Sequence, residues 1–286
     1  MRSAVVMAMM MMSTKSSVAT AFHPMAIHGG RSSLPLRALP LPLPPRSSMP
    51  RLLSMRGGDG GEKYVPEIKL YYGNMPFWRA EAVRMALFIG GIEFEDVRDA
   101  WSNEERRDEV AAKKTFGALP VMDVDGRVLS QTQAMVTWAG KLTGLYPSDD
   151  PWEAAKVDEA INGCTDCTGT LGATMRMPDD EKVAARAALI EEGGRLAMHL
   201  GGLEKLAKEN AAATSTGAIA GDDLTVADLC VWRLVGWLNG GGLDGLPASW
   251  INVDSYPALS KLVKMVDAHP KVIEWKGLEI NQPFYK

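Results

Sequence analysis

A small α/β domain followed by an all-helical one is the fold class that this 286-residue sequence predicts. Three observations predict it. Strand-type stretches are confined to residues 67–130, where they alternate with helical stripes. Beyond residue 151 no convincing strand occurs, and apolar residues recur at helical spacing. Between the two lies a connector of turn formers, Tyr146-Pro147-Ser148-Asp149-Asp150-Pro151.

Residues 67–72 read as a strand. Residues 79–89 place Ala82, Val83, Ala86, Leu87 and Ile89 on one helical stripe, and Gly90-Gly91 ends it. Residues 92–97 alternate as Ile, Glu, Phe, Glu, Asp, Val, a second strand. Residues 104–114 are charged and read as a short helix. From Ala118 to Thr132 the pattern is strand, two-residue hairpin, strand, helix start. Asp125-Gly126 suits the left-handed positions of a type I′ turn. Ser130 is a good N-cap, with Gln133 at the capping-box position. Pro120 sits where a strand begins and cannot donate to a ladder there; prolines at such places are structural punctuation, some of them cis. The helix ends near Leu142, before Gly144.

The resulting β-α-β-α-β-β-α order is the thioredoxin-like order. The expected fold class is therefore an α/β thioredoxin-like N-terminal domain, residues 66–146, followed by an all-α C-terminal domain, residues 151–286. In the second domain, residues 152–175, 179–210, 225–239 and 256–275 have helical patterns, and 211–223 is a small, polar loop. Thr225 and Asp228 form a capping-box pattern, with Leu224 as a hydrophobic staple before it. No internal repeat is present.

Residues 1–62 look unlike a folded domain. They are rich in Met, Ser and Pro, and residues 1–61 hold seven Lys or Arg against the single acid Asp59. This is transit-peptide composition. Arg2 precedes a short apolar run at 4–12, and Ala19-Thr20-Ala21 is a small-x-small cleavage pattern. The Phe22 that follows resembles the Ala-Phe junction of presequences entering algal secondary plastids. A plastid is the expected destination; a mitochondrial leader, or a cytoplasmic protein with a plain disordered tail, are the alternatives.

The remaining residues, 62–286, hold 24 basic and 34 acidic side chains, a net charge of −10. An acidic body argues against nucleic acid as a partner. No apolar run approaches the ~18 residues of a membrane span. Cys164, Cys167 and Cys230 are too few for a disulfide scaffold, and four scattered histidines form no ligand spacing, so no metal is expected.

A helix that opens with Gln131 and Thr132 offers free backbone N–H groups and two polar side chains, a ready site for a carboxylate. A capped helix after a hairpin is the plain alternative. A thioredoxin-like fold commonly works through a Cys after the first strand. Here that position reads Tyr72-Gly73-Asn74-Met75-Pro76-Phe77-Trp78-Arg79, without Cys, so thiol–disulfide exchange by that route is not expected. Cys164-Thr165-Asp166-Cys167 is a CxxC, but it falls inside a helix, where two packing thiols are the favoured reading over a redox pair.

Taken together, the strand ending in Tyr72, the Arg79-Ala80-Glu81 stretch, Leu119-Pro120, Gln131-Thr132 and Leu224-Thr225-Val226-Ala227-Asp228 resemble the cytosolic-type glutathione transferases, in particular the sigma-like, Tyr-type class. Tyr256-Pro257-Ala258-Leu259 and His269-Pro270-Lys271-Val272 extend the resemblance, which covers about residues 67–277. It implies a transferase that uses glutathione as co-substrate with no other cofactor, acts on a small apolar electrophile in detoxification, and works as a homodimer. Isomerase or hydroperoxide-reducing activity would use the same sulfur.

The resemblance also implies roles. Tyr72, at the strand end, would donate its hydroxyl to the glutathione sulfur; Tyr71 faces the other side of the strand. A thiol with pKa about 8.5 is mostly protonated near neutral pH. One donor plus the positive charge of Arg79 could lower it by roughly two units, about 2.7 kcal/mol. Leu119 would offer its backbone to the cysteinyl unit beside a cis Pro120. Gln131 and Thr132 would hold the γ-glutamyl carboxylate, and Asp166 would reach the γ-glutamyl amine across the dimer. Trp101 would line the glycine end, and Lys113 or Lys114 would meet its carboxylate. Met75, Phe77, Trp78 and Met175 would wall the electrophile pocket. Without the resemblance, these read as ordinary strand, surface or core residues, apart from the carboxylate site already read at Gln131 and Thr132.

Two departures stand out. The glycine that precedes the arginine in the family is Trp78 here, and one extra residue separates Tyr72 from Arg79. They keep in view a non-catalytic binding or structural protein on the same fold.

Overall fold

The computed structural model describes residues 65–285. The leader read at 1–62 lies outside the described residues. The α/β half consists of β1 (Ile68–Tyr71), α1 (Trp78–Ile89), β2 (Glu95–Val97), α2 (Arg107–Lys113), β3 (Val121–Val124), β4 (Arg127–Ser130) and α3 (Thr132–Thr143). The helical half follows as α4 (Pro151–Gly172), α5 (Asp179–Ile190), α6 (Arg195–Thr214), α7 (Val226–Leu238), α8 (Pro257–Asp267) and α9 (Pro270–Gly277), then a 3₁₀ turn, Gln282–Phe284.

The sheet order is β2-β1-β3-β4, with β1 parallel to β2 and antiparallel to β3. Leu70 faces Asp96 on one side and Met122 on the other. Successive side chains of a strand point to opposite faces. Accordingly Ile68, Leu70 and Tyr72 enter the main core, whereas Tyr71 joins a small second cluster with Val97, Ala100, Val110 and Val121. The main core is continuous through α1, α3, α4 and α7, and α1 packs on both α3 and α7. The β3–β4 hairpin turns at Asp125 and Gly126, with φ of 52° and 77°, as a type I′ turn requires.

Several expected boundaries move, each for a local reason. β2 begins at Glu95 because Ile92 N–H bonds back to the Leu87 carbonyl (2.9 Å), closing the turn after α1. α2 begins at Arg107 because Asn103 Oδ1 takes the Glu105 N–H (3.0 Å) in an Asx turn. The stretch 179–210 is two helices: Gly193 sits at φ 80°, and Gly194 is packed against backbone, where a Cβ would come within 2.4 Å of the Leu189 carbonyl oxygen. The stretch 256–275 is also two, because Pro270 cannot donate to the preceding helix and instead opens α9.

The Ser130 capping box does not form. Ser130 is the last residue of β4, Gln131 holds the cap position without a side-chain capping bond, and Gln133 Nε2 donates to Asp158 on α4 (2.9 Å). The Thr225–Asp228 capping box does form, and buried Asp228 also accepts the Ile219 N–H (2.7 Å). Cys164 and Cys167 are buried, unbridged core residues of α4. Burial pushes both thiols up, Cys167 to about 12, which removes them as a redox pair.

Candidate active site

The site starts where β1 runs out. Tyr72 extends the ladder by one residue: its N–H bonds to the Val97 carbonyl (3.0 Å) and its carbonyl accepts the Ala100 N–H (3.1 Å). Residues 73–77 then cross to α1, and two arginines hold them. Arg84, fully buried, donates to the carbonyls of Gly73 (3.1 Å) and Met75 (3.0 Å) while paired with Glu81 and Asp96. Arg233 on α7 gives two hydrogen bonds to the Pro76 carbonyl (3.0 and 2.8 Å). Gly73 lies directly under Trp101, where a Cβ would overlap the indole ring at 1.7 Å. The loop with the extra residue is thus a braced structure.

Above this loop opens a cavity of about 750 Å³, within the range of small-molecule sites. Tyr72, Met75, Phe77 and Arg79 border it from β1 and α1, and Trp101 and Leu119 from the sheet half. The Tyr72 and Trp101 rings meet edge to face at 5.1 Å. Burial pushes the Tyr72 hydroxyl up, against the pull of Arg79 and Arg84, so it stays a protonated donor at neutral pH. Arg79 is half-buried over the Trp78 ring (5.2 Å) and has no carboxylate partner among the described residues. A desolvated, uncompensated guanidinium is costly, and an anion in the cavity would offset that cost.

The Leu119–Pro120 peptide is cis, and neither the N–H nor the carbonyl of Leu119 is engaged by another described residue. Val121 pairs with Ser130, so the chain at Gln131 runs beside Pro120. Gln131 is exposed and held at φ 74°, a strained value for a residue with a Cβ. Thr132 is buried, and its Oγ1, like Ser130 Oγ, has no hydrogen-bond partner among the described residues. Orphaned hydroxyls beside a helix N-terminus fit a carboxylate ligand. Pro120, Gln131 and Thr132 do not themselves border the cavity, whereas Leu119 does.

Two expected positions, those of Trp78 and Lys113, are corrected. Trp78 does not wall the cavity: it is fully buried, and its indole Nε1 donates to Thr168 Oγ1 on α4 (2.8 Å). As the first residue of α1, it points into the helical half. Lys113 is on the opposite face, paired with Asp123 (2.5 Å) and lying over the Tyr71 ring (5.6 Å); Lys114, one residue on, borders the cavity. Asp166 is an exposed residue of α4 that does not border the cavity. Met75, Phe77 and Met175 do border it, and the Met175 sulfur accepts a hydrogen bond from Arg186 (3.1 Å).

Sequence reasoning missed Arg84, Arg233 and Trp237. Trp237 borders the cavity and meets Phe77 edge to face at 4.9 Å. Arg233 had a readable signal: it is a basic residue within a strongly apolar helix, and such a charge needs a buried acceptor.

These features define a class: a thioredoxin-fold protein with no cysteine after β1 and a small-molecule cavity bordered by the residue before its cis-proline. Comparison with known proteins narrows it. The family model for "Glutathione S-transferase, N-terminal domain" matches residues 68–139, and that for "Glutathione S-transferase, C-terminal domain" matches residues 165–277. Glutathione S-transferase 1 of Ascaris suum is 30% identical over 235 residues, spanning 77% of this chain and all of the relative. Glutathione S-transferase S1 of Drosophila melanogaster is 27% identical, over 72% of this chain and 76% of its own length. The solved glutathione S-transferase of Ascaris lumbricoides superimposes with a TM-score of 0.57 at 26% identity, over 73% of this chain and 96% of that one. The chain belongs to the glutathione S-transferase family. Among the described residues, no helix is long and apolar enough to cross a membrane.

Proposed function

We propose that this chain is a sigma-like, Tyr-type transferase that conjugates glutathione to small apolar electrophiles. The observation that carries the reading is Tyr72, kept protonated, and Arg79, without a carboxylate partner among the described residues, bordering one cavity with Leu119. Leu119 would bind the cysteinyl backbone of glutathione through its N–H and carbonyl, which no other described residue engages. Gln131, Thr132 and the first turn of α3 would take the γ-glutamyl carboxylate, and Lys114 the glycine carboxylate beside Trp101.

In that pose the Tyr72 O–H donates to the sulfur, and the Arg79 charge favours the thiolate. The thiol proton leaves to solvent. The sulfur lone pair then attacks the electrophilic carbon. On an aryl chloride, the C–S bond forms, the C–Cl bond breaks, and chloride departs with the bonding pair. No enzyme-bound covalent intermediate is needed. Met75, Phe77, Met175 and Trp237 supply apolar walls for the second substrate.

A homodimer, with Asp166 reaching the partner's γ-glutamyl amine, belongs to the same proposal; it is supported by the family and by Asp166 being exposed on α4. Delivery to a plastid is supported by the basic, acid-poor composition of residues 1–61. The test is conjugation of 1-chloro-2,4-dinitrobenzene by wild type and by Tyr72→Phe. One directed hydrogen bond in a desolvated site is worth about 2.7–4 kcal/mol, so the variant should lose roughly a hundred- to a thousand-fold in rate. Undiminished turnover would refute Tyr72 as the activator. Glutathione binding without any wild-type turnover would refute the enzyme.

A further inference from the structure

The loop that carries the chemistry is held from an unexpected place, the end of the described chain. After α9, buried Asn281 turns the chain, donating from Nδ2 to the Trp275 carbonyl (2.9 Å). The 3₁₀ turn then lays Tyr285 against α7. Its ring stacks on Trp232, nearly parallel (3°) at 5.9 Å. The Arg233 guanidinium lies against both rings, at 5.0 Å from Trp232 and 4.9 Å from Tyr285. The Tyr285 hydroxyl donates to Glu81 Oε1 (2.6 Å), which also takes the Trp275 indole N–H (2.7 Å).

Two arms lead from this point to residues 73–77. Through Glu81, which holds Arg84 by its other oxygen (3.1 Å), Tyr285 reaches the carbonyls of Gly73 and Met75. Through the side of Arg233, it reaches the carbonyl of Pro76. Three of the five loop carbonyls are therefore held by two guanidinium groups. One of those guanidiniums stacks on the Tyr285 ring, and the other is oriented by the carboxylate that the Tyr285 hydroxyl caps.

We infer that Tyr285 is a positioning residue for the thiol site: it sets the orientation of Glu81 and Arg233, and through them the placement of Tyr72 and Arg79 relative to the bound sulfur. The inference rests on the proposed thiol activation. Tyr285 does not border the cavity, so it touches neither glutathione nor electrophile. Losing its hydroxyl should let Glu81 and Arg84 relax and loosen the loop. Losing the ring as well should free Arg233 from one of its two stacking partners.

The experiment compares wild type, Tyr285→Phe and Tyr285→Ala as full-length chains. Three quantities are read: the pKa of enzyme-bound glutathione, from thiolate ultraviolet absorbance against pH; kcat and glutathione KM with 1-chloro-2,4-dinitrobenzene; and Tm. A hydrogen bond to a charged group is worth enough for a loss of about tenfold or more when fully transmitted. Tyr285→Phe should raise the bound thiol pKa and lower kcat by roughly three- to tenfold, with glutathione KM near the wild-type value. Tyr285→Ala should show a larger loss of kcat. If Tyr285→Ala does not fold, Tyr285→Phe, which keeps the ring, decides alone. A fall in Tm with kcat and thiol pKa unmoved would mean a purely structural tail and overturn the inference. If wild type itself leaves the bound thiol unshifted and turns nothing over, the thiol-activation reading fails first and takes this inference with it.

Discussion

Trp78 donates its indole N–H to Thr168 Oγ1, joining the first residue of α1 to the C-terminal part of α4 across the line between the two halves of the protein. The hydroxyl of Thr168 in turn donates to the Cys164 carbonyl (2.9 Å), so the bond is anchored in the helix backbone. The bulky residue in place of glycine is therefore part of the core that fuses the halves. It turns away from the cavity and leaves Arg79 on the cavity side.

Trp78→Phe should cost stability and spare substrate recognition. The change removes one buried donor and part of a large apolar contact, together worth about 2–4 kcal/mol. Urea unfolding should show that loss. The KM for a neutral aryl electrophile should change less than threefold at a temperature where the variant stays folded. A large electrophile-KM change at unaltered stability would put Trp78 back in the pocket wall.

The two adjacent lysines should separate cleanly. Lys114→Ala should raise glutathione KM about tenfold, the equivalent of one charge-assisted hydrogen bond to a carboxylate. Lys113→Ala should leave that KM unaltered and instead weaken the fold, because it strands Asp123 in a mostly buried pair. Steady-state kinetics on both variants, alongside denaturant melts, decide the assignment; equal KM effects would contradict it.

Acid should act on the fold through Glu81. Burial alone would raise its carboxyl. The Arg84 charge and the bonds from Tyr285 and Trp275 outweigh burial and hold it below the ordinary 4.5. A carboxyl depressed in the folded state contributes stability that is complete above the unfolded value and is lost as pH falls through the folded one. Each unit of depression is about 1.4 kcal/mol. From about pH 4.5 downward, wild-type stability should therefore fall more steeply than that of Glu81→Gln, measured by isothermal denaturant unfolding. Parallel curves would show that Glu81 is not a linked group.

Much of this site was readable before any coordinates, because it depends on local chemistry. Tyr72 ends a strand whose period-two pattern sends it and Tyr71 to opposite faces. Asp125-Gly126 dictates the hairpin, and the hairpin sets Gln131 beside Pro120. Thr225 and Asp228, three residues apart, cap a helix by themselves. The absence of Cys after β1 excluded thiol exchange through that position. Arg84 and Arg233 were not readable in their roles, since their acceptors are backbone carbonyls 9–11 and 157 residues away. Ser130 was misread because pairing with Val121 keeps it in β4, so the cap position falls one residue later, at Gln131.

What the sequence alone determined is the order of elements, the split into an α/β half and a helical half, and the chemistry available along β1 and at the start of α3, all of which follow from residue spacing and backbone preference. Only the tertiary structure decided which of Lys113 and Lys114 meets the cavity, where the Trp78 indole goes, and that Tyr285 braces a loop more than two hundred residues before it. A side chain's facing depends on the packing and hydrogen-bond partners that the fold brings to it, and those partners lie far along the chain.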